Sequence, residues 1–181
     1  FSSRRRHTRL LTVTGVQTCA LPIFITGGGS GLGKSMGRRF VELGAELLIC
    51  GRRQEVLAET AAELKIGNRA VGTHSIDIRD AEAVEKMMDW AFADGPIDVL
   101  VNNAAGNFIA KTETLSHRAV DSVLNIVLHG TTYVTLAAGR RWIASGHKGT
   151  VLSILATYAW TGSPYVVPSA MAKAGVLALM Q

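Results

Sequence analysis

Ile23-Phe24-Ile25-Thr26-Gly27-Gly28-Gly29-Ser30-Gly31-Leu32-Gly33 is the stretch that decides the fold. A short apolar run of strand character ends in a glycine-rich turn. From about Gly31 the apolar residues recur at helical spacing, as Met36, Phe40, Val41 and Leu43, until Gly44 offers a residue to end the helix. A glycine cluster alone says little, but strand, glycine turn and helix in that order is a strong signal for a dinucleotide phosphate site. Glycine lets the backbone turn sharply and come close to a pyrophosphate with no Cβ in the way. The helix that follows points its free N–H groups and positive dipole end at the phosphates. Thr26, Gly27, Gly29, Ser30, Gly31, Leu32 and Gly33 are therefore candidate cofactor-binding residues.

Outward from this turn the chain alternates strand and helix with short connections, the pattern of a parallel sheet covered by helices. Leu47–Cys50 reads as a second strand, Glu55–Leu64 as a helix and Ala70–Ile76 as a third strand. Asp80 can cap a helix carrying Val84, Met87, Met88 and Ala91. Ile97–Val101 reads as the fourth strand, Ser116–Ala144 as one long helix and Thr150–Ile154 as the fifth strand. Pro168 suits the first turn of a last helix, within which the sequence stops at Gln181. The fold class is α/β, a Rossmann doubly wound parallel sheet with strand order 3-2-1-4-5, incomplete on its C-terminal side. Residues 24–181 form this partial dinucleotide-binding domain.

The first 23 residues stand apart. They hold Arg4, Arg5, Arg6 and Arg9 and no acid, with neither a helical nor a strand period. The whole chain has a net charge of +5, but residues 24–181 carry 15 Lys and Arg against 14 Asp and Glu, a net of +1. A nucleic-acid partner, which needs clustered cations, is therefore not expected. The segment has the composition of a mitochondrial presequence; it also closely resembles translated sequencing-adapter read-through. Pro22 favours the second reading, because a central strand loses a ladder donor at proline. Only Ile23-Phe24-Ile25-Thr26 then remains before the glycines, and the domain proper is expected from residue 24, after a non-native or disordered leader over residues 1–23. No apolar run reaches the roughly 18 residues of a membrane span, so no membrane partner is expected. Cys19 and Cys50 make neither a disulfide framework nor a metal site by their spacing.

The end of the second strand chooses between nicotinamide cofactors. A carboxylate there would hold the ribose hydroxyls of NAD, whereas cations would hold the 2′-phosphate of NADP. The chain has Cys50-Gly51-Arg52-Arg53 and no acid before Glu55. Two cations ahead of a helix also oppose its dipole, so helix stability does not explain them. Arg52 and Arg53 point to NADPH.

The spacing Thr-Gly-x-x-x-Gly-x-Gly at Thr26–Gly33 resembles the short-chain dehydrogenase/reductase family. The resemblance implies that Asp77, with Ile78, lies beside the adenine, and that Asn103, Ala104, Ala105 and Gly106 of the Asn102–Gly106 run close over the ribose. It also exposes a departure. That family has Tyr-x-x-x-Lys on the helix after the fifth strand and a Ser thirteen residues before the Tyr. Here Lys173 is present, Ser169 stands at the tyrosine position and Ala156 at the serine position.

Val101–Ala110, Ile126–Leu136 and Tyr158–Gly175 are similar to the mitochondrial-type 2,4-dienoyl-CoA reductases, and the Val167-Pro168-Ser169 lead-in is the most specific part. The resemblance implies NADPH-dependent reduction of an acyl-CoA, hydride going to C5 of the diene. It places Tyr158, fifteen residues before Lys173, and Asn107 at the thioester oxygen, with Ser169 and Lys173 on the nicotinamide ribose. Donors aimed at that oxygen suit the chemistry, because the charge of a dienolate collects there. A reductase of a different enone or ketone, using Tyr158 or Tyr165 (eight residues before Lys173) as its acid, is the second reading; a silent NADPH-binding module is the third. His129 is expected to be structural. The family also implies a homotetramer of a longer chain, in the cytoplasm, or in the mitochondrial matrix if the leader is a presequence. The chain as it stands is expected to be an inactive fragment.

Overall fold

The computed structural model describes residues 21–66 and 70–181. The expectations for residues 1–20, Cys19 among them, lie outside the described residues. Five parallel strands form one sheet: β1 (Pro22–Thr26), β2 (Glu46–Gly51), β3 (Gly72–Ser75), β4 (Val99–Asn102) and β5 (Thr150–Ser153). Their order is β3-β2-β1-β4-β5, as the doubly wound rule requires. Side chains alternate across the central strand. Ile23 and Ile25 pack with Val41 of α1 (Gly31–Glu42) and Leu57 and Leu64 of α2 (Gln54–Leu64). Phe24 faces the other way, against Val84, Met87 and Met88 of α3 (Ala81–Ala91) and Val134 and Ala138 further along the chain.

The helix ends follow their local chemistry. The Asp80 carboxylate accepts from the N–H groups of Glu82 and Ala83, both at 3.0 Å, and so caps α3. Gly44, at φ +94°, ends α1 with the Ala45 N–H donating back to the Phe40 carbonyl at 3.0 Å.

Three expectations change. Pro22 is the first residue of β1, in register with Glu46, rather than a residue outside the strand. The first position tolerates it because the ladder there needs only an acceptor: the Pro22 carbonyl takes the Asp98 N–H at 2.8 Å. The long helix is also not uniform. α4 (His117–Leu124) runs into a π-helical turn over Asn125–His129 and then into α5 (Gly130–Ser145). Apolar spacing could not show this, because one wide turn barely disturbs a helical period. β3 is shorter than expected, at Gly72–Ser75.

After β5, a four-residue helical turn, α6 (Tyr158–Thr161), leads to α7 (Val167–Leu179), where Pro168 occupies the first turn. Ala172 of α7 packs on Val123 and Val127, so α7 is seated on α4 and the π turn. No helix among the described residues is long and apolar enough to cross a membrane.

Candidate active site

All five strands are parallel, so their C-terminal ends lie on one side, and the loops there build the site. A cleft of about 290 Å³ opens at this edge. It is lined by Gly27, Gly29, Ser30, Arg52, Arg53, Asp77, Ile78, Asn103, Ala104 and Ala105, ten of the expected cofactor residues. Val56, Leu57 and Ile126 also line it. Sequence reasoning did not single these out, because an apolar residue at helical spacing signals only core. Gly31 and Leu32 open α1 beside the cleft, and Leu32 is exposed. Thr26, Gly33, Gly106 and Lys173 do not line it.

Thr26 and Gly33 act one layer behind. The buried Thr26 Oγ accepts from the N–H groups of Asn103 and Ala104, each at 3.0 Å. The Asn103 side-chain amide donates to the carbonyls of Thr26 at 3.0 Å and Gly27 at 3.2 Å. The glycine turn and the segment after β4 are thereby joined. Gly33 has to be glycine for this: a Cβ there would stand 2.4 Å from the Gly27 carbonyl oxygen and 2.6 Å from Asn103 Nδ2. Gly31, at φ +54°, meets nothing within 4 Å and leaves the mouth of the turn open.

Charge in the cleft is arranged by position. Arg52 and Arg53 are exposed at the end of β2, and neither is paired with a carboxylate among the described residues. Asp77 is held by the Arg79 guanidinium at 2.5–2.9 Å, which keeps its carboxyl below the usual range, with a smaller contribution from Arg52. Cys50 is fully buried beneath the turn, and burial pushes its thiol up to about 12, so it is inert. No group of His, Cys, Asp and Glu among the described residues could hold a metal ion.

The second cluster lies at α6 and α7. The Tyr158 hydroxyl and the buried Ser169 Oγ are 3.0 Å apart, and either can be the donor. One turn on, the Lys173 ammonium is buried and donates to the Ile154 carbonyl just past β5. Desolvation lowers its pKa. Ala156 presents a methyl group where a serine hydroxyl would stand, and its carbonyl accepts from the Ala159 N–H at 2.9 Å to start α6. Asn107 is exposed in the irregular segment after β4, and no hydrogen bond links it to Tyr158, Ser169 or Lys173. That segment is tied to the approach to α7 by the Ala110 N–H, which donates to the Tyr165 carbonyl at 2.9 Å. His129 Nδ1 lies 3.0 Å from Asn125 Oδ1 within the π turn. The turn packs on α7, with Leu128 against Gly175, and such turns are frequent at functional sites.

Residues 22–181 match the short chain dehydrogenase family. The chain belongs to that family. A protein of Bacillus subtilis named "Probable 2,4-dienoyl-CoA reductase [(2E)-enoyl-CoA-producing]" is 43% identical over 158 residues, 87% of this chain and 62% of that protein. A Caenorhabditis elegans protein named "Probable 2,4-dienoyl-CoA reductase 3 [(3E)-enoyl-CoA-producing]" is 45% identical over 84% of this chain and 50% of its own length. The crystal structure of a short chain dehydrogenase from Bacillus anthracis superposes with a TM-score of 0.86 at 44% identity, covering 90% of this chain and 66% of that one. The chain thus spans about half to two thirds of these relatives. Within the family, the departure at Ser169 and Ala156 is the feature that bears on chemistry.

Proposed function

We propose that the protein of which this chain is the dinucleotide-binding part reduces 2,4-dienoyl-CoA to 3-enoyl-CoA with NADPH. The observation that carries this reading is the Tyr158–Ser169 pair at 3.0 Å, one turn from a buried Lys173, with no hydroxyl at position 156. A carbonyl reductase needs a proton donor beside the carbon that receives hydride. Here that place holds a serine, and the tyrosine stands displaced from it.

The cleft fits the cofactor: an open glycine turn at a helix N-terminus, exposed unpaired arginines and a carboxylate converge on it. Residues 27–33 would hold the pyrophosphate, Arg52 and Arg53 the 2′-phosphate, Asp77 and Ile78 the adenine, and Asn103–Gly106 the adjoining ribose. Ser169 and Lys173 would hold the nicotinamide ribose. When bound, NADPH would supply the hydride for C5 of the diene. Tyr158 and Asn107 donate hydrogen bonds to the thioester oxygen and stabilise the dienolate. A Lys173 ammonium, one helical turn from Ser169, would favour hydrogen bonding from the phenol. The proton returns at C2 through water, leaving the double bond at C3.

The relatives' names differ on the product, (2E) in one and (3E) in the other, so proton placement is the point to test. The complete protein that contains this chain should consume 2,4-hexadienoyl-CoA with NADPH, and NMR in deuterated water should find solvent deuterium at C2. Deuterium at C4 would move the product to the 2-enoyl thioester. No turnover of the diene, with reduction of a simple ketone, would replace this reading by the ketoreductase one. Tight NADPH binding with no turnover of either would leave a silent binding module.

A further inference from the structure

Tyr165 is the one non-glycine residue with positive φ among the described residues, at +65°. A residue with a Cβ is strained there, a bulky one most of all, and glycine is the ordinary occupant. Core packing does not account for the tyrosine, since half its surface is exposed. Its hydroxyl makes no hydrogen bond to the described residues. Its carbonyl takes the Ala110 N–H at 2.9 Å, a bond that glycine would make equally well. An aromatic side chain kept at a strained position, without a structural reason, points to a task for the ring.

Its place in the fold suggests which task. The Ala110 bond sets Tyr165 against the segment after β4, three residues beyond Asn107. Four residues further along the chain is Ser169, within 3.0 Å of Tyr158. Ile109 on the first of these segments and Trp160 on α6 are also large, apolar and exposed. We propose that Tyr165 is a specificity-determining residue whose ring packs against the planar, conjugated part of an unsaturated acyl chain at the junction of the two donor-bearing segments. The ring does the work, and the phenol proton does not. This inference rests on the acyl-CoA reading above.

Three variants of the complete protein that contains this chain test it: Tyr165→Gly, Tyr165→Ala and Tyr165→Phe. Gly and Ala lose the same ring, but only Gly relieves the left-handed backbone. Tyr165→Gly should therefore melt a few degrees above Tyr165→Ala, the reverse of the order at an unstrained loop position. NADPH affinity should be unchanged in all three. KM for 2,4-hexadienoyl-CoA should rise about tenfold in Tyr165→Gly, the loss of one good aromatic contact, with kcat within about twofold. Tyr165→Phe should match the unaltered chain. The inference is overturned if Tyr165→Gly keeps the original KM, if Tyr165→Phe is as impaired as Tyr165→Gly, or if Tyr165→Gly melts below Tyr165→Ala. A complete, unaltered protein that never turns over the diene refutes the acyl-CoA reading instead. The melting order then still supports or overturns the retention of Tyr165 against stability.

Discussion

The hydroxyl oxygens of Tyr158 and Ser169, eleven residues apart in the chain, stand 3.0 Å apart at the start of α7. Ser169 thus couples the displaced tyrosine to the helix that carries Lys173. Tyr158→Phe keeps the ring and removes that link. It should lower dienoyl-CoA turnover on the order of 100–1000-fold, the usual loss for an oxyanion donor, while NADPH still binds. Ser169→Ala should weaken cofactor affinity more than it slows chemistry. Full activity in Tyr158→Phe together with an inactive Tyr165→Phe would transfer the donor role to Tyr165.

Cofactor choice is expected to sit on Arg52 and Arg53, which are exposed and free of carboxylate partners among the described residues. Replacing both with alanine should cut the preference for NADPH over NADH by about tenfold or more, the value of a charge-assisted phosphate contact. Calorimetric titration of both cofactors reads this directly. Equal affinities in the unaltered, C-terminally completed protein would exclude the assignment.

Lys173 carries a pH signature. Burial disfavours its ammonium, so its folded pKa lies below the ordinary 10.5. As pH rises through that lowered value towards 10.5, the folded protein sheds its proton before the unfolded chain does. The cost of burying the charge is relieved across that window, and stability relative to a neutral isostere climbs with pH. Melting curves of the unaltered chain and of Lys173→Met should therefore shift in favour of the former as pH rises. A gap that stays constant would mean that the ammonium is not desolvated.

Two glycines of the turn should respond differently to the same methyl group. Gly33→Ala drives a Cβ into the Gly27 carbonyl and the Asn103 amide, and should cost about 1–3 kcal/mol as an overpacked site. Gly31→Ala has open space and only backbone strain, about 1–2 kcal/mol. Gly33→Ala should also disturb the segment after β4, visible as faster amide exchange at Asn103 and Ala104. Normal exchange there would dissociate the turn from that segment.

Much of this was readable from the residues. Strand order follows from chain alternation and handedness; Gly27, Gly29, Ser30, Arg52 and Arg53 follow from which strand ends carry glycine and arginine, and Asp77, Ile78, Asn103, Ala104 and Ala105 follow from the family resemblance. Periodicity reports a face and not a pitch, so the π turn at Asn125–His129 was invisible. Pro22 misled because proline counts against a strand interior, whereas its actual position is a strand start. Thr26 and Gly33 are expected at the cofactor, and in the fold they also meet Asn103, Ala104 and Gly27, which shape the turn. Spacing gives neighbours along a chain and cannot distinguish a residue that touches a ligand from one that shapes the loop that does. Tyr165 shows the same limit, because no local pattern announces its positive φ.

The Thr26 hydroxyl joins residues 77 and 78 positions further along the chain. That bond can form only after β1 has found β4, a long-range pairing that must follow the closure of a large loop. A folding intermediate holding just β1, α1 and β2 would have the glycines of the turn without the contacts that fix their shape. Nucleotide binding is therefore a property acquired late in folding. Added cofactor should slow unfolding of the assembled sheet without accelerating its formation, since it has nothing well shaped to bind until the fourth strand is in place.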